Sequence, residues 1–141
     1  MKKIMTIFIA LLIIPFLFIL FALRIQLENQ EKLKQNFQNK LFLREKLIEK
    51  IDANKIKIDE NDNAILTEKY YGLAQNNYVH IFVCNEKEKV IEFYYNAGFP
   101  DEAQSIFYSS KGEELIKKYV KEHLYAYIEK IEDNWYLVQY N

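Results

Sequence analysis

The chain carries one cysteine, three glycines and two prolines in 141 residues. With Cys84 alone, no intramolecular disulfide can form. A secreted eukaryotic domain of this size is more often stapled by disulfides, so a cysteine-poor outer domain suits a bacterium better. Three glycines cannot build a Gly-rich phosphate loop, and Ser109 and Ser110 lack the Gly-x-Ser-x-Gly elbow of a hydrolase. The scarcity of Gly and Pro also leaves no disordered or low-complexity tract. Positive charge is not in excess: beyond Leu23 there are 17 Lys and Arg against 20 Asp and Glu. Nucleic acid is therefore excluded as a partner, because phosphate binding needs clustered positive charge.

Against these absences stands one long apolar run, Ile4 to Leu23, with no charge and only Thr6 as a strong hydrogen-bonding side chain. As a helix it is about 30 Å long, the thickness of a bilayer's hydrocarbon core. Pro15 falls in its middle and is expected to kink it, which a membrane helix tolerates. The competing reading is a cleaved signal peptide. A secretory apolar region is usually about 7–15 residues and ends in small residues. Here the run is longer and closes Leu20-Phe21-Ala22-Leu23-Arg24. No cysteine follows it, as a lipoprotein anchor would require. An uncleaved single-pass anchor is the favoured reading, with a lipid bilayer as the first partner. Lys2 and Lys3 favour a short cytoplasmic tail at residues 1–3 and a domain outside the cell. Arg24, Lys32, Lys34 and Lys40 on the other flank weaken that bias.

About 118 residues remain, enough for one domain. Tyr (11) and Phe (10) are abundant, which favours strands. From Arg24 to Asp52, Leu33, Phe37, Leu41, Leu47, Ile48 and Ile51 recur at helical spacing. Residues 24–54 therefore read as an amphipathic helix, ended by Asp52, Ala53 and Asn54. Its apolar stripe either covers the following sheet or dimerises as a stalk. Arg44 interrupts the heptad series, which favours packing on the sheet.

Residues 55–141 read as a small α+β domain. Lys55–Asp59 is a short edge strand and Ala64–Leu73 a strand ending at Gly72. Tyr78–Cys84 and Val90–Tyr95 are strands joined by the polar turn 85–88. Residues 96–102 form a loop, and Gln104–Ser109 a further strand. Ser110-x-x-Glu113 matches a capping box opening a helix from Lys111 to His123. A hairpin, Tyr125–Glu132 and Trp135–Tyr140, closes the chain, its register open between two- and three-residue loops. Turns this short imply antiparallel neighbours. The fold class is thus α+β: a transmembrane helix and amphipathic helix, an antiparallel meander sheet, one covering helix and a C-terminal hairpin.

Candidate chemistry is sparse. Asp59-x-Asn61-x-Asn63 resembles the start of a calcium loop, but Ala64 and Tyr70 stand where Gly and Glu are required. His80 and Cys84 share a strand face at i and i+4, about 13 Å apart, too far for one metal. A Cys84–His123 catalytic pair lacks an orienting third group. Glu113-Glu114 and Asp101-Glu102 lie where helix starts and loops carry acid. Tyr70-Tyr71, Tyr94-Tyr95, Tyr108 and Trp135-Tyr136 either line an aromatic binding surface or pack across strands, and cross-strand packing is the simpler account. No catalytic, cofactor-binding or metal residue is assigned, and no cofactor is expected.

The Lys-Lys start, the anchor, the short helix, the meander and the closing Lys130–Val138 stretch together resemble small uncharacterised single-pass membrane-anchored proteins of low-GC Gram-positive bacteria. The resemblance implies a compartment, not an activity. Pilin-like proteins share the helix-then-sheet plan, but this chain lacks their cleavage signature. The sequence thus points to a non-enzymatic, membrane-anchored extracytoplasmic binding or accessory module, partnered by another membrane or cell-envelope protein. The alternatives are an assembly element oligomerising through helix 24–52, and a membrane-tethered enzyme.

Overall fold

The structure is a computed structural model and describes residues 2–96, 103–120 and 125–140. Its first element, α1 (Lys2–Asp52), is one helix of 51 residues assigned without a break through Pro15. It is long and apolar enough to cross a membrane. From Ile13 to Leu23 every large apolar side chain is exposed, between 46% and 67%, so this stretch is not part of the core formed by the described residues.

From Leu33 onward the same helix enters the domain core. Leu33, Phe37, Leu47, Ile48 and Ile51 are buried against the sheet. They fall at i, i+4, i+14, i+15 and i+18, one face of a 3.6-residue repeat. Each such burial contributes about 1.5–3 kcal/mol, so the helix is docked and not merely adjacent. The stripe is spent inside the chain, as expected from the Arg44 interruption. α1 stops in a Schellman turn: Asn54 sits at φ 54°, and the Lys55 N–H donates to the Lys50 carbonyl at 2.8 Å.

Among the described residues six strands form one antiparallel sheet. They are β1 (Asn63–Ile65), β2 (Tyr78–Cys84), β3 (Lys89–Asn96), β4 (Ala103–Ser109), β5 (Tyr125–Glu132) and β6 (Trp135–Tyr140). Their order is β1-β2-β3-β4-β6-β5, a four-strand meander completed by a hairpin whose second strand joins β4. The expected fold class is the one observed. A short helix, α2 (Glu113–Tyr119), lies on the sheet face opposite α1.

Alternation assigns the faces. Ile91, Phe93, Ile106, Trp135 and Leu137 point toward α1. Val90, Phe107, Tyr136 and Val138 point toward Leu115, Ile116 and Val120 of the α2 segment. Trp135 is the hub of the first layer, with ring centroids of Phe37, Phe93 and Tyr108 at 5.4, 5.5 and 5.2 Å.

Several local expectations are corrected. The expected strand Ala64–Leu73 contracts to Asn63–Ile65, followed by a 3-10 turn at Glu68–Tyr70. Leu66, Tyr70, Leu73 and Ala74 are all buried, and their irregular spacing suits a plug under α1 better than a pleat. The expected edge strand Lys55–Asp59 is a single bridge, Ile58 to Ala64. The capping box does not form. Gly112, at φ 83°, is the N-cap, while the Ser110 hydroxyl accepts from the Lys89 N–H at 3.0 Å. The helix therefore starts at Glu113, not Lys111, and is capped at Val120. The closing hairpin takes the two-residue loop, with Glu132 opposite Trp135 and Asn134 at φ 64°. The expected loop at 97–102 and His123 lie outside the described residues.

Candidate functional site

Among the described residues, the sheet face opposite α1 is covered by α2 over only part of its area. α2 is a seven-residue helix and packs over Val90, Phe107, Tyr136 and Val138. On the same face, alternation along β2, β3, β4 and β6 sets out Tyr78, His80, Phe82, Glu92, Tyr94, Ser105 and Tyr140. Tyr78, His80, Phe82, Tyr94 and Tyr140 are half-buried. Ile65 on β1, opposite Tyr78, is 45% exposed.

At the centre is Glu92, the one acid in the strand Lys89–Asn96 and 9% exposed. Its Oε1 accepts from Ser105 Oγ at 2.6 Å and from the Tyr140 hydroxyl at 2.5 Å. A carboxylate among apolar neighbours is held only where donors reach it, and two charge-assisted bonds of this length are the strong kind. The Tyr140 phenol is raised well above its ordinary range, first by burial and then by the Glu92 charge beside it. It is therefore a fixed donor at neutral pH.

A second chain of bonds runs along the β1 side. Asp59 Oδ1 accepts the backbone N–H groups of Asn61 and Asn63, and Oδ2 accepts from Asn63 Nδ2 at 3.2 Å. That bond turns Asn63 Oδ1 toward His80, 3.1 Å from Nδ1. With Asn63 Oδ1 as the acceptor of that pair, His80 Nδ1 is its donor. Phe82 meets the ring edge-on, with centroids 4.6 Å apart. The residues that resembled a calcium loop are thus a turn whose carboxylate is spent on amides.

His80 and Cys84 do not share a face. A bulge between Ile81 and Val83 shifts the register, so His80 stays on the Glu92 face while Cys84 packs into the α1 layer. Burial pushes the Cys84 thiol above its ordinary value. Ser109 donates to the Gly112 carbonyl at 2.7 Å, closing the turn before α2. The tyrosine pairs divide as a pleat requires: Tyr95 and Trp135 face α1, Tyr94 and Tyr136 the other side. Tyr70 is buried and Tyr71 is 52% exposed. Among the described residues no three His, Cys, Asp or Glu side chains converge as a metal site.

Under α1 lies a second polar cluster that the sequence showed only as a broken heptad. Arg44 is fully buried. It donates from Nη2 to the Tyr95 hydroxyl at 2.6 Å, to Asn36 Oδ1 at 2.9 Å and to the Leu73 carbonyl at 3.3 Å. From Nη1 it reaches the Phe37 carbonyl at 3.2 Å. Tyr95 donates in turn to the Leu73 carbonyl. The guanidinium lies 5.5 Å from the Phe37 ring centroid and 5.7 Å from that of Phe93. Carbonyls, a phenol and two aromatic faces compensate the charge. This cluster ties Leu73, just past the 3-10 turn, and β3 to the helix, a structural joint.

No family model, curated protein or solved structure matches the chain.

The open aromatic half-face around Glu92 was missed in sequence because its members come from four strands. Its one legible trace is the acid inside Val90-Ile91-Glu92-Phe93. Chemically the arrangement brings together half-buried aromatic rings, an imidazole and a carboxylate with two hydroxyl donors already in place.

Proposed function

We propose that the protein is a membrane-anchored extracytoplasmic binding module that recognises a membrane or cell-envelope protein through the half of the sheet that α2 leaves open. One observation carries this reading: Tyr78, His80, Phe82, Tyr94 and Tyr140 form a half-exposed aromatic face around an ordered carboxylate. Half-exposed aromatics supply contact area at a small entropy cost, which is why they dominate interface hot spots. The helix stripe that an assembly element would expose is engaged in the chain's own core, which disfavours oligomerisation through residues 24–52. The exposed apolar run from Ile13 to Leu23 supports the anchor, since so large a contiguous apolar surface is not left in water. Lys2 and Lys3 support placement of the domain outside.

The test is photo-crosslinking in intact cells, with a photoreactive residue replacing either Tyr94 on the open face or Phe42 on the outer side of α1. A discrete product from position 94, absent from position 42 and lost with His80→Asp, is the expected result. No product from position 94, or the same product from both, overturns the reading.

A further inference from the structure

α1 is continuous from the apolar run into the core, so the geometry of the domain relative to that run can be read along one helix. Two contacts give direction. Trp135, at the start of β6, packs on Phe37. Gln139, near its end, is hydrogen-bonded to Gln30 Nε2 at 3.1 Å. Passing along β6 from 135 to 139 thus moves back along α1 from 37 to 30, toward the anchor. The neighbouring strand agrees: Lys34 pairs with Glu129 of β5 at 2.8 Å. In register, Tyr127 lies opposite Gln139 and Tyr125 opposite Tyr140. The open end of the β5–β6 hairpin therefore points at the N-terminal half of α1.

The distances are short. Gln30 is seven residues beyond Leu23, about 10 Å along the helix. Tyr140 is one strand residue further toward the anchor, which leaves about 7 Å. The headgroup layer on one side of a bilayer is about 5–8 Å deep. Tyr127 is 46% exposed at this end, and tyrosine is enriched at that depth because its ring is apolar and its hydroxyl wet. By contrast Asp52, where α1 ends, is 29 residues from Leu23, about 44 Å away. The turn at 85–88, beside the Lys89–Asp52 ion pair, shares that distal position.

We infer that the open end of the β5–β6 hairpin rests in the phospholipid headgroup layer, with Tyr127 as its interfacial contact. The domain is then held against the membrane at one fixed edge, with the 85–88 turn outermost. The inference rests on the anchor proposed above.

The test uses the full chain in phosphatidylcholine–phosphatidylglycerol liposomes, on a Cys84→Ser background. A bimane label is placed at Tyr127→Cys, at Lys87→Cys or at Ile14→Cys, and quenched by nitroxide lipids carrying the spin at the headgroup or deep in the acyl chain. The expected result is several-fold stronger headgroup quenching at 127 than at 87, with deep quenching at 14. Deep quenching at 14 combined with equal headgroup quenching at 127 and 87 overturns this inference and leaves the anchor intact. Absence of deep quenching at 14 overturns the anchor and this inference with it.

Discussion

Replacing Arg44 separates the two things that hold α1 on the sheet. Its side chain fills space between Phe37 and Phe93, and its guanidinium bonds Tyr95, Asn36 and Leu73. Truncation in Arg44→Ala loses the packing and leaves a cavity, a change of about 2–5 kcal/mol. Arg44→Met restores most of the volume and also removes the unfavourable burial of a charge with no carboxylate partner. Isosteric replacement of buried charge is often nearly neutral. The bonds lost are to a charged donor, about 1.5–3 kcal/mol each in isolation, but Leu73 keeps its bond from Tyr95. Arg44→Met should therefore lie within about 2 kcal/mol of the parent and clearly above Arg44→Ala. Arg44→Lys keeps the charge without the fork, so burial lowers its ammonium pKa in the folded state. The unfolded state then binds more protons, and this variant alone should gain stability as pH rises toward about 10.4. Urea unfolding in micelles, followed by the single tryptophan Trp135, reads all three. Equal loss in Arg44→Met and Arg44→Ala would show that the bonds, not the packing, hold the joint. A pH-independent Arg44→Lys would show that the site is not dry.

Around Glu92, Ser105→Ala removes one bond to a buried carboxylate and should destabilise by about 1–3 kcal/mol, with Tyr140→Phe non-additive to it in a double-mutant cycle. Burial raises the phenols of Tyr95 and Tyr140. Their contribution to stability is whole below about pH 10 and is lost as pH rises through the raised folded values. Absorbance titration should show these two phenols ionising only as the chain unfolds. Gly72 sits at φ 77°, and its carbonyl accepts from Lys40 at 3.1 Å. Gly72→Ala should lose about 1–2 kcal/mol by the same urea assay, because a Cβ disfavours that conformation. A membrane-impermeant thiol reagent should label Lys87→Cys on a Cys84→Ser background in intact cells. Native Cys84, half-buried and with its thiol pushed above the ordinary value, should react more slowly than a cysteine at the exposed position 87.

What the sequence disclosed and what it hid have physical reasons. The helix stripe, the strands Tyr78–Cys84 and Gln104–Ser109 and the closing hairpin are periodic, and periodicity survives without tertiary context. Residues 64–73 were misread because Leu66, Tyr70, Leu73 and Ala74 bury themselves at irregular intervals, governed by the underside of α1. The faces of His80 and Cys84 were misassigned because a bulge carries no sequence mark. Ser110 met the capping pattern but was claimed by the Lys89 N–H across the turn. Arg44 looked like a break in an apolar pattern and proved to be the centre of a buried polar cluster; Glu92, unremarked within an apolar strand, is the centre of another. The open half-face is an assembly of β2, β3, β4 and β6 residues, visible only once their register is known.

The account depends most on α1 being one helix that carries both the apolar run and the domain core. Amide hydrogen exchange on the full chain in lipid nanodiscs tests this at residues 24–32, between the end of the apolar run and Leu33. Protection there comparable to that of residues 33–51 is the predicted result. Exchange at the rate of an unstructured linker would contradict it.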